Sequence, residues 1–419
     1  MSRRMLRRVG PWLLFALGVV GLLVLLAAWQ RNAYWEYSDG VYAASARELL
    51  HGRDLYEQMA GAQPPFVYLV GALLLWFHDG LASIRAGMAL LDLATAALVV
   101  LAVFRLTGRR WLAAASGLIA LFLPWTLHEH AQLTPETLAA PLIMGAALAR
   151  GRATGVLGAL AIGCKLAFAL PAVLVAVAVG RRALVWLVVA TLVLAAIGTA
   201  IFGTDLWRQT VTAQLQVGTH SLHYVGGLWA QAAWNVVPLA IPAVAAIVLR
   251  ERALEPRLVM SLSAAALGGL ILVISVYKNG TYLNVLQIAE APLLALAAAG
   301  AAWLVETRTL AVGAVALCLA VLGVAQVASL LANPGNPRPF ARPFAATAPG
   351  WTLSPHGVDV ASDRARACPP DAAYSGPPYI AFEADRRMPG RQPDQFIVAN
   401  ARENARFLRE AAADQPRCP

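Results

Sequence analysis

Residues 36–70 read EYSDGVYAASARELLHGRDLYEQMAGAQPPFVYLV, a polar segment that ends in a Pro-Pro pair and a new apolar run. The apolar run 9–29 precedes this segment, and its 21 residues are enough to cross a bilayer. Four arginines within residues 3–8 come first, so we predict an uncleaved first helix whose N-terminus is cytoplasmic. The polar segment would then lie on the outer membrane surface, as a helix whose apolar face consists of Val41, Ala44, Leu49 and Leu50.

The composition of the whole chain indicates a membrane protein. Of its 419 residues, 59% are hydrophobic and 13% are charged, whereas soluble domains carry roughly 25% charged residues. These values exclude an ordinary soluble enzyme, a disordered chain and a protein that wraps nucleic acid. The net charge of +10 comes from arginines placed between apolar runs, a pattern that orients membrane helices and attracts anionic lipids.

The apolar runs predict an all-α polytopic membrane protein with about 11 transmembrane or half-membrane helices. Phe66–Phe77 is apolar over only 12 residues, which favours a re-entrant or interfacial helix beside the outer surface. After that segment, the predicted spans are 86–106, 111–127, 137–149, 183–202, 229–249, 258–277, 282–305 and 310–331.

Residues 155–180 form an apolar run that fits either one span or two half-helices. Lys165 and Pro171 interrupt its middle, and broken helices are tolerated where they line a cavity. A hairpin places fifteen basic residues on the cytoplasmic side and six in the short outer loops, whereas a single span gives eleven and ten. Because basic residues favour the cytoplasmic side, we predict the hairpin. All seven histidines and most acidic residues then fall on the outer side.

The predicted topology divides the chain into two parts. Residues 1–331 are expected to form a transmembrane domain, with residues 30–85 as its first outer loop. Residues 332–419 are expected to form an extracytoplasmic tail or small domain. The expected location is the bacterial inner membrane, with the N-terminus in the cytoplasm and the C-terminus outside it.

The tail contains a predicted helix near residues 400–412 and two cysteines, Cys368 and Cys418. Because an extracytoplasmic compartment is oxidising, we predict a disulfide between these two residues. The other cysteines, Cys164 and Cys318, lie within apolar runs and fit as small core residues.

Glu36, Asp39 and Tyr42 form the densest polar group and come soon after the first predicted span. A carboxylate that faces a cavity at a membrane surface can act as a general base toward a hydroxyl group. A solvated loop, or a helix cap at Ser38 or Asp39, is the structural alternative.

The second outer loop holds His128, Glu129, His130 and Glu136. A His-x-His pair in a short loop is weak evidence for a metal site, so substrate hydrogen bonding and simple surface polarity stay open as well. A third outer group consists of His220 and His223. If this outer loop is helical, these two side chains share one face, either for substrate binding or for interfacial packing.

The only two lysines of the chain, Lys165 and Lys278, lie inside or at the edge of apolar segments. A lysine there needs a counter-charge or a water-filled cavity, and a phosphate is one natural partner. Structural pairing with Asp92 or Glu290, both within apolar runs, is the alternative. Arg85 lies at the outer mouth of its span, where it would meet the same phosphate or extend to lipid headgroups.

The first outer loop contains three motifs in order, namely Ser38-Asp39-Gly-x-Tyr42, Ala46-x-x-Leu49-Leu50-x-Gly52-x-x-Leu55-Tyr56 and Pro64-Pro65-x-x-Tyr68. In order and spacing they resemble the first outer loop of GT-C glycosyltransferases, nearest to the protein O-mannosyltransferase and lipid A aminoarabinose transferase group, which is similar to glycosyltransferase family 39. In that group an essential Asp follows the first span, a Pro-Pro pair opens a juxtamembrane helix and an Arg begins the second span. Asp39, Pro64-Pro65 and Arg85 match these features.

This resemblance implies an enzyme that transfers a sugar from a polyprenyl-phosphate donor to a lipid, glycan or protein acceptor at the extracytoplasmic face. It implies that Asp39 deprotonates the acceptor hydroxyl, while Lys278, Lys165 and Arg85 bind the donor phosphate. The residues expected to contact substrate are Glu36, Tyr42, Tyr56, Gln63, His128, Glu129, Glu136, His220, His223 and Asn284. No cofactor is expected, and a divalent metal is allowed but not required.

Two features depart from the family pattern. Gln63 stands where several relatives have Lys or His before the Pro-Pro pair, which puts its contact with the donor in question. The second outer loop lacks the Asp-x-Asp of oligosaccharyltransferases, which argues against their metal-dependent mechanism.

A multi-pass transporter or lipid flippase is the rival class, because it would also explain broken helices and charges in apolar runs. It predicts inverted repeats, which the sequence does not show, and a proton-coupled transporter would use Asp92 and Glu290 rather than Asp39. A structural membrane protein without chemistry would leave the polar residues on one side unexplained. The chain carries no Walker-type loop, dinucleotide glycine motif or Gly-x-Ser-x-Gly elbow, so a nucleotide is not indicated as the energy source.

Overall fold

The computed structural model describes residues 9–13, 15–21, 37–306, 355–369, 371–414 and 417–418. Residues 9–13 and 15–21 are helical and belong to the first predicted span. Glu36, Cys318, the predicted span 310–331 and the predicted boundary at residue 331 lie outside the described residues.

The described part of the chain after residue 36 is mainly helical. Its helices are α1 Tyr37–Leu50, α2 Phe66–Phe77, α3 Leu81–Thr107, α4 Arg110–Ala120, α5 Pro124–His128, α6 Pro135–Leu148, α7 Arg152–Cys164, α8 Ala169–Val179, α9 Arg181–Phe202, α10 Leu222–Val248, α11 Pro256–Ile271, α12 Gln287–Glu306, α13 Pro355–Arg366, α14 Pro378–Glu383, α15 Gln395–Asn400 and α16 Ala405–Ala413. Short 3₁₀ segments occupy Leu166–Phe168, Arg250–Arg252, Leu272–Tyr277, Leu283–Leu286, Pro389–Arg391 and Arg402–Asn404.

Between α9 and α10 a connecting segment passes through Asp205–Trp207, a π-helix at Arg208–Ala213 and Gln214–Gln216. Two strands, β1 Ala373–Tyr374 and β2 Arg417–Cys418, pair in parallel, with Ala373 opposite Arg417.

Five of the described helical segments are long and apolar enough to cross a membrane, so the chain is a multi-pass membrane protein. These segments are Leu81–Thr107, Arg181–Phe202, Leu222–Val248, Pro256–Tyr277 and Leu283–Glu306. At 1.5 Å per residue the shortest of them, with 22 residues, reaches about 33 Å, against a hydrocarbon core of about 30 Å. They correspond to the predicted spans 86–106, 183–202, 229–249, 258–277 and 282–305.

Two predicted spans are wrong, and the count of about 11 membrane helices is not confirmed. The run 111–127 ends as a helix at Ala120, and Pro124 then opens the separate short helix α5. The run 137–149 becomes α6, which has 14 residues and therefore reaches only about 21 Å. The hydroxyl of Thr134 caps α6 by accepting from the backbone N–H of Thr137, with Pro135 at the first helical position.

The predicted pair of half-helices is present as α7 and α8. The break is at Lys165, which is extended at φ −158° and ψ 129°. Pro171 does not break the chain, because it lies in the first turn of α8, where its missing N–H is not needed. At Gly155 the backbone of α9 comes so close that an added Cβ would lie 2.4 Å from the backbone nitrogen of Leu187.

The predicted helix is present as α1, but it is buried within the protein. Its residues 39–46 are all buried, between α2 on one side and α14 on the other. The contact is closest at Gly40, where an added Cβ would lie 2.4 Å from the backbone nitrogen of Tyr379. The helix is covered because the C-terminal part of the chain folds back onto it.

The C-terminal part is a packed unit with two small apolar clusters. One cluster includes Val358, Tyr374 and Tyr379, and the other joins Ile397 and Phe407 to residues of the outer loops. Cys368 and Cys418 form the predicted disulfide, with their Cα atoms 6.0 Å apart. The helix expected near residues 400–412 is α16, which is preceded by the 3₁₀ turn Arg402–Asn404.

We predict that Cys418→Ser loosens the C-terminal unit. The disulfide closes a loop of 50 residues, for which the chain-entropy relation gives about 4 kcal/mol. Limited proteolysis of the purified protein should therefore cut residues 355–414 much faster than in wild type, while the membrane helices stay intact. Cys164→Ser is the control, since Cys164 is a buried free thiol in α7.

The same cysteines test the predicted topology. In intact cells, a membrane-impermeant thiol reagent should label them only after reduction. Labelling that requires cell lysis would contradict the extracytoplasmic position of this unit, and labelling without reductant would contradict the disulfide.

Candidate active site

Asp39 and Arg85 form a buried ion pair where α1 meets α3. The Arg85 Nη2 donates to Asp39 Oδ2 at 2.6 Å, and the backbone N–H of Leu133 donates to Asp39 Oδ1 at 2.8 Å. Arg85 Nη1 donates to the carbonyl oxygen of Ala131 at 2.8 Å. The Asp39 side chain is only 2% exposed, so its charge needs this pairing.

Residues 121–134, which we call the buried loop, supply both backbone partners of this pair. All of its residues except Phe122 are buried. Asp92 Oδ2 accepts from the backbone N–H of Ala131 at 3.1 Å and lies 2.8 Å from His130 Nδ1. Ala131 has the unusual φ of +58°, which these contacts hold in place.

Glu290 of α12 holds the other end of the buried loop. One of its carboxylate oxygens accepts from the backbone N–H of Trp125 at 3.0 Å. The second accepts from the N–H and hydroxyl of Thr126 at 2.9 and 3.1 Å. Asp39, Asp92 and Glu290 therefore engage the same loop from three different helices.

His128 and Glu129 form a second buried pair, with His128 Nδ1 at 2.8 Å from Glu129 Oε1. The His128 ring packs against Trp125, whose ring also contacts Tyr282. Among the described residues, no group of three His, Cys, Asp or Glu side chains is arranged to hold a metal ion. The second predicted cluster is thus divided, since His128 and Glu129 pair with each other while His130 turns to Asp92.

The two lysines lie near enough for the charge of Lys165 to act on Lys278. Lys165 Nζ lies 2.6 Å from Glu136 Oε1, and Glu136 lies in the first turn of α6. Lys278 Nζ donates to Gln214 Oε1 at 2.7 Å. Burial and, to a smaller extent, the nearby charge of Lys165 together lower the pKa of Lys278 to about 8.

The proposed structural partners of the lysines are wrong. Asp92 and Glu290 are engaged with the buried loop, so neither pairs with a lysine. Glu136 was predicted to bind substrate, and Gln214 was not among the predicted site residues. Neither partner carries a local signal, because both contacts join segments that are distant in sequence.

The other predicted substrate residues are distributed more widely. Tyr42 is buried with its ring 5.5 Å from that of Tyr68, and the Tyr56 hydroxyl donates to the Gln63 carbonyl at 2.7 Å, which shapes the turn before α2. Asn284 is buried, and its side-chain oxygen has no hydrogen-bond partner within the described residues.

The histidines His220 and His223 do not share a helical face. Ser221 caps α10, so His220 precedes the helix and its ring packs at 4.5 Å against that of Tyr224. Burial lowers the pKa of His220, while His223 is exposed.

Tyr379 of α14 is a site neighbour that the sequence did not indicate. It is fully buried, and the centre of its ring lies 5.8 Å from the Arg85 guanidinium. Nothing in the pattern of the tail connects this residue with the first outer loop, apart from the cysteines that bracket its segment.

Comparison with known proteins identifies the fold. No family model and no curated protein matches the chain. Two crystal structures of ArnT from Cupriavidus metallidurans, one bound to undecaprenyl phosphate and one in the apo state, are similar to it with TM-scores of 0.60 and 0.61. Sequence identity is 16% and 17%, over 91% of this chain and 85% of ArnT. The chain therefore has the GT-C fold, which confirms the fold expected from its first outer loop.

We predict that Glu290→Gln weakens the hold on the buried loop. Glutamine keeps one oxygen for Thr126 but turns an NH₂ group toward the N–H of Trp125, leaving a buried donor unsatisfied. The expected loss of stability is about 1–3 kcal/mol, measured by thermal unfolding, with faster hydrogen exchange at Trp125 and Thr126.

The control for this variant is Glu306→Gln at the other end of α12. Glu306 pairs with Arg109 and Arg252 at the protein surface, where ion pairs contribute about 0–1 kcal/mol. Equal effects of the two substitutions would contradict the role given to Glu290.

Proposed function

We propose that the protein is a membrane glycosyltransferase that moves a sugar from a polyprenyl-phosphate donor to a hydroxyl group of a lipid, glycan or protein acceptor. The observation that carries this proposal is the approach of Lys165 and Lys278 at one half-buried place. Two ammonium groups with one carboxylate leave an excess positive charge, which a phosphate would neutralise. The ArnT structure of the same fold contains undecaprenyl phosphate, a ligand of this class.

Asp39 is proposed as the general base. Each of its oxygens already accepts one hydrogen bond, and a carboxylate has about four acceptor positions, so room is left for a substrate hydroxyl. The acceptor O–H gives its proton to Asp39 as its oxygen attacks the anomeric carbon of the donor. The bond from that carbon to the phosphate oxygen breaks, and polyprenyl phosphate leaves with the bonding electrons.

Arg85 takes a different part in this proposal from the one the sequence suggested. Its guanidinium is committed to Asp39 and to the Ala131 carbonyl. We therefore assign it to orienting the base and leave the leaving phosphate to the lysines, which stabilise the charge that develops there. Glu136 Oε2 and Asn284 Oδ1 are buried acceptors without a partner in the described part of the chain, and they suit sugar hydroxyls.

An apolar cavity of about 380 Å³ is the proposed position of part of the prenyl chain. It lies between α10, α11 and the 3₁₀ segment Leu272–Tyr277, with Trp229, Val236 and Ile274 among its lining residues. The same 3₁₀ segment leads directly to Lys278. A chain in this cavity would therefore bring its phosphate end toward the lysines.

The proposed location is the bacterial inner membrane, with the site on the extracytoplasmic side. The disulfide supports this orientation, because it joins the unit that covers Asp39 and disulfides persist in oxidising compartments. The opposite ends of the long helices carry Arg105, Arg150 and Arg252, as the positive-inside rule expects of cytoplasmic loops. The N-terminus would then be cytoplasmic.

The transporter alternative is less well supported. A proton-coupled transporter would need Asp92 and Glu290 to be free to titrate, whereas both accept backbone hydrogen bonds from the buried loop. The ion pair of Asp39 and Arg85 also lies beneath α14 of the C-terminal unit.

We expect Asp39→Asn to lose transfer. General-base catalysis contributes about 10²–10⁴-fold, so the rate with a labelled polyprenyl-phosphate sugar in membranes should fall by at least the lower figure. Asp363→Asn is the matched control, because Asp363 is exposed and pairs with Arg366 one turn later in α13. A folded Asp39→Asn protein with the wild-type rate would remove Asp39 from the mechanism.

We also expect polyprenyl phosphate binding to weaken as the pH rises. The pKa of Lys278 is lowered to about 8, so this lysine is charged below pH 8 and becomes neutral above it. Between pH 7.5 and 10 the phosphate keeps its charge, and the dissociation constant should increase by up to about tenfold per pH unit above the pKa. Equilibrium binding of polyprenyl phosphate to the purified protein measures this.

Lys278→Arg separates charge from other causes, since arginine stays protonated throughout this range. Its dissociation constant should be flat with pH, and that of Lys278→Met should be high at every pH. A wild-type profile as flat as that of Lys278→Arg would exclude Lys278 from the phosphate site.

A further inference from the structure

The short helix α14 lies directly on the proposed general base. It packs against α1, and the backbone nitrogen of Tyr379 takes the space beside Gly40, the residue after Asp39. No side chain would fit at Gly40 without moving α14. The C-terminal unit thus packs against the helix segment that carries Asp39 of the Asp39–Arg85 ion pair.

Arg47 fixes α14 in this position. Its guanidinium donates to the Phe382 carbonyl at 2.7 Å and stacks on the Phe382 ring at 3.7 Å. It also pairs with Asp79, in the turn that leads into α3, at 3.0 Å. Arg47 therefore connects α14 to α1, which carries Asp39, and to the turn before α3, which carries Arg85.

Tyr379 extends from α14 to the Arg85 guanidinium. Its side chain is fully buried with the ring centre 5.8 Å from the Arg85 guanidinium, and a tyrosine hydroxyl can accept from one of the five N–H groups of an arginine. Asp39 and the Ala131 carbonyl take other N–H groups of the same arginine. Arg85 is therefore held from three directions, of which only Tyr379 belongs to the C-terminal unit.

We propose that Tyr379 is a positioning residue of the active site, which accepts a hydrogen bond from Arg85 and so fixes the guanidinium that orients Asp39. This inference rests on the proposed function. A tyrosine is suited to the task because it has few rotatable bonds and a polar group at the end of a rigid ring. A small displacement of a general base is expected to lower the rate strongly, because the reaction needs close alignment of base and nucleophile.

The chain contains a matched control for this residue. Tyr374 belongs to the same small apolar cluster of the C-terminal unit and is also buried. Its hydroxyl lies against Gly376 and not against the Asp39–Arg85 ion pair. Tyr379→Phe and Tyr374→Phe each remove one hydroxyl group from the same unit and leave the rings in place.

The experiment compares these two variants in the full-length membrane protein. Tyr379→Phe should lower kcat for sugar transfer about tenfold or more while KM for the donor changes less than about twofold. Tyr374→Phe should keep the wild-type kcat, and the thermal midpoints of the two variants should agree. If Tyr379→Phe changes kcat no more than Tyr374→Phe does, or if its thermal midpoint falls well below that of the control, the positioning role is overturned.

A second measurement needs no catalysis and separates this inference from the proposed function. The N–H of Leu133 donates to Asp39, so its hydrogen exchange reports how firmly that carboxylate is held. Exchange at Leu133 should be several-fold faster in Tyr379→Phe and unchanged in Tyr374→Phe. If the wild type transfers no sugar, the proposed function fails and this exchange still decides the role of Tyr379. Equal exchange in both variants would overturn that role.

Discussion

Four backbone N–H groups of the buried loop, residues 121–134, donate to side-chain carboxylates. Asp39 takes the amide of Leu133, Asp92 that of Ala131, and Glu290 those of Trp125 and Thr126. An irregular segment inside a helix bundle would otherwise leave several polar groups unpaired, each at a cost of about 1–3 kcal/mol. The three acids come from α1, α3 and α12, so the loop can fold only where these helices meet.

The carboxylates in turn have partners of their own. Asp39 pairs with Arg85, Asp92 lies 2.8 Å from His130 Nδ1, and Glu290 accepts three hydrogen bonds. Removing one member of a buried pair leaves an uncompensated charge, so folding and the arrangement of the site depend on the same contacts. The proposed base is therefore placed before any substrate arrives, which is the condition that efficient proton transfer requires.

The sequence predicted well those features that the membrane itself imposes. The five long helices and the bounds of α2 follow from run lengths, because a bilayer sets one length for a span. The pair of half-helices follows from the basic residues on either side of it. The end of α4 at Ala120 was missed because run length does not show the break before Pro124, whereas α6 lies where the run 137–149 predicts it but is too short to span. Burial of α1 was missed because the residues that cover it lie more than three hundred positions away.

The partners of the two lysines were also missed because they are distant in sequence. The contacts of Lys278 show how the lysines are linked to the Asp39–Arg85 ion pair. Lys278 donates to Gln214 of the connecting segment before α10. That segment contacts the C-terminal unit at two places. Arg208 lies 3.2 Å from Glu403, and Gln209 donates to Asn404 at 2.7 Å. The same unit touches Arg85 through Tyr379. The C-terminal unit, which the disulfide closes, thus contacts the segment that positions Lys278 and also contacts the Asp39–Arg85 ion pair. The separation between the proposed base and the proposed phosphate site is then fixed by tertiary contacts of the tail, and no pattern within the membrane helices can encode it.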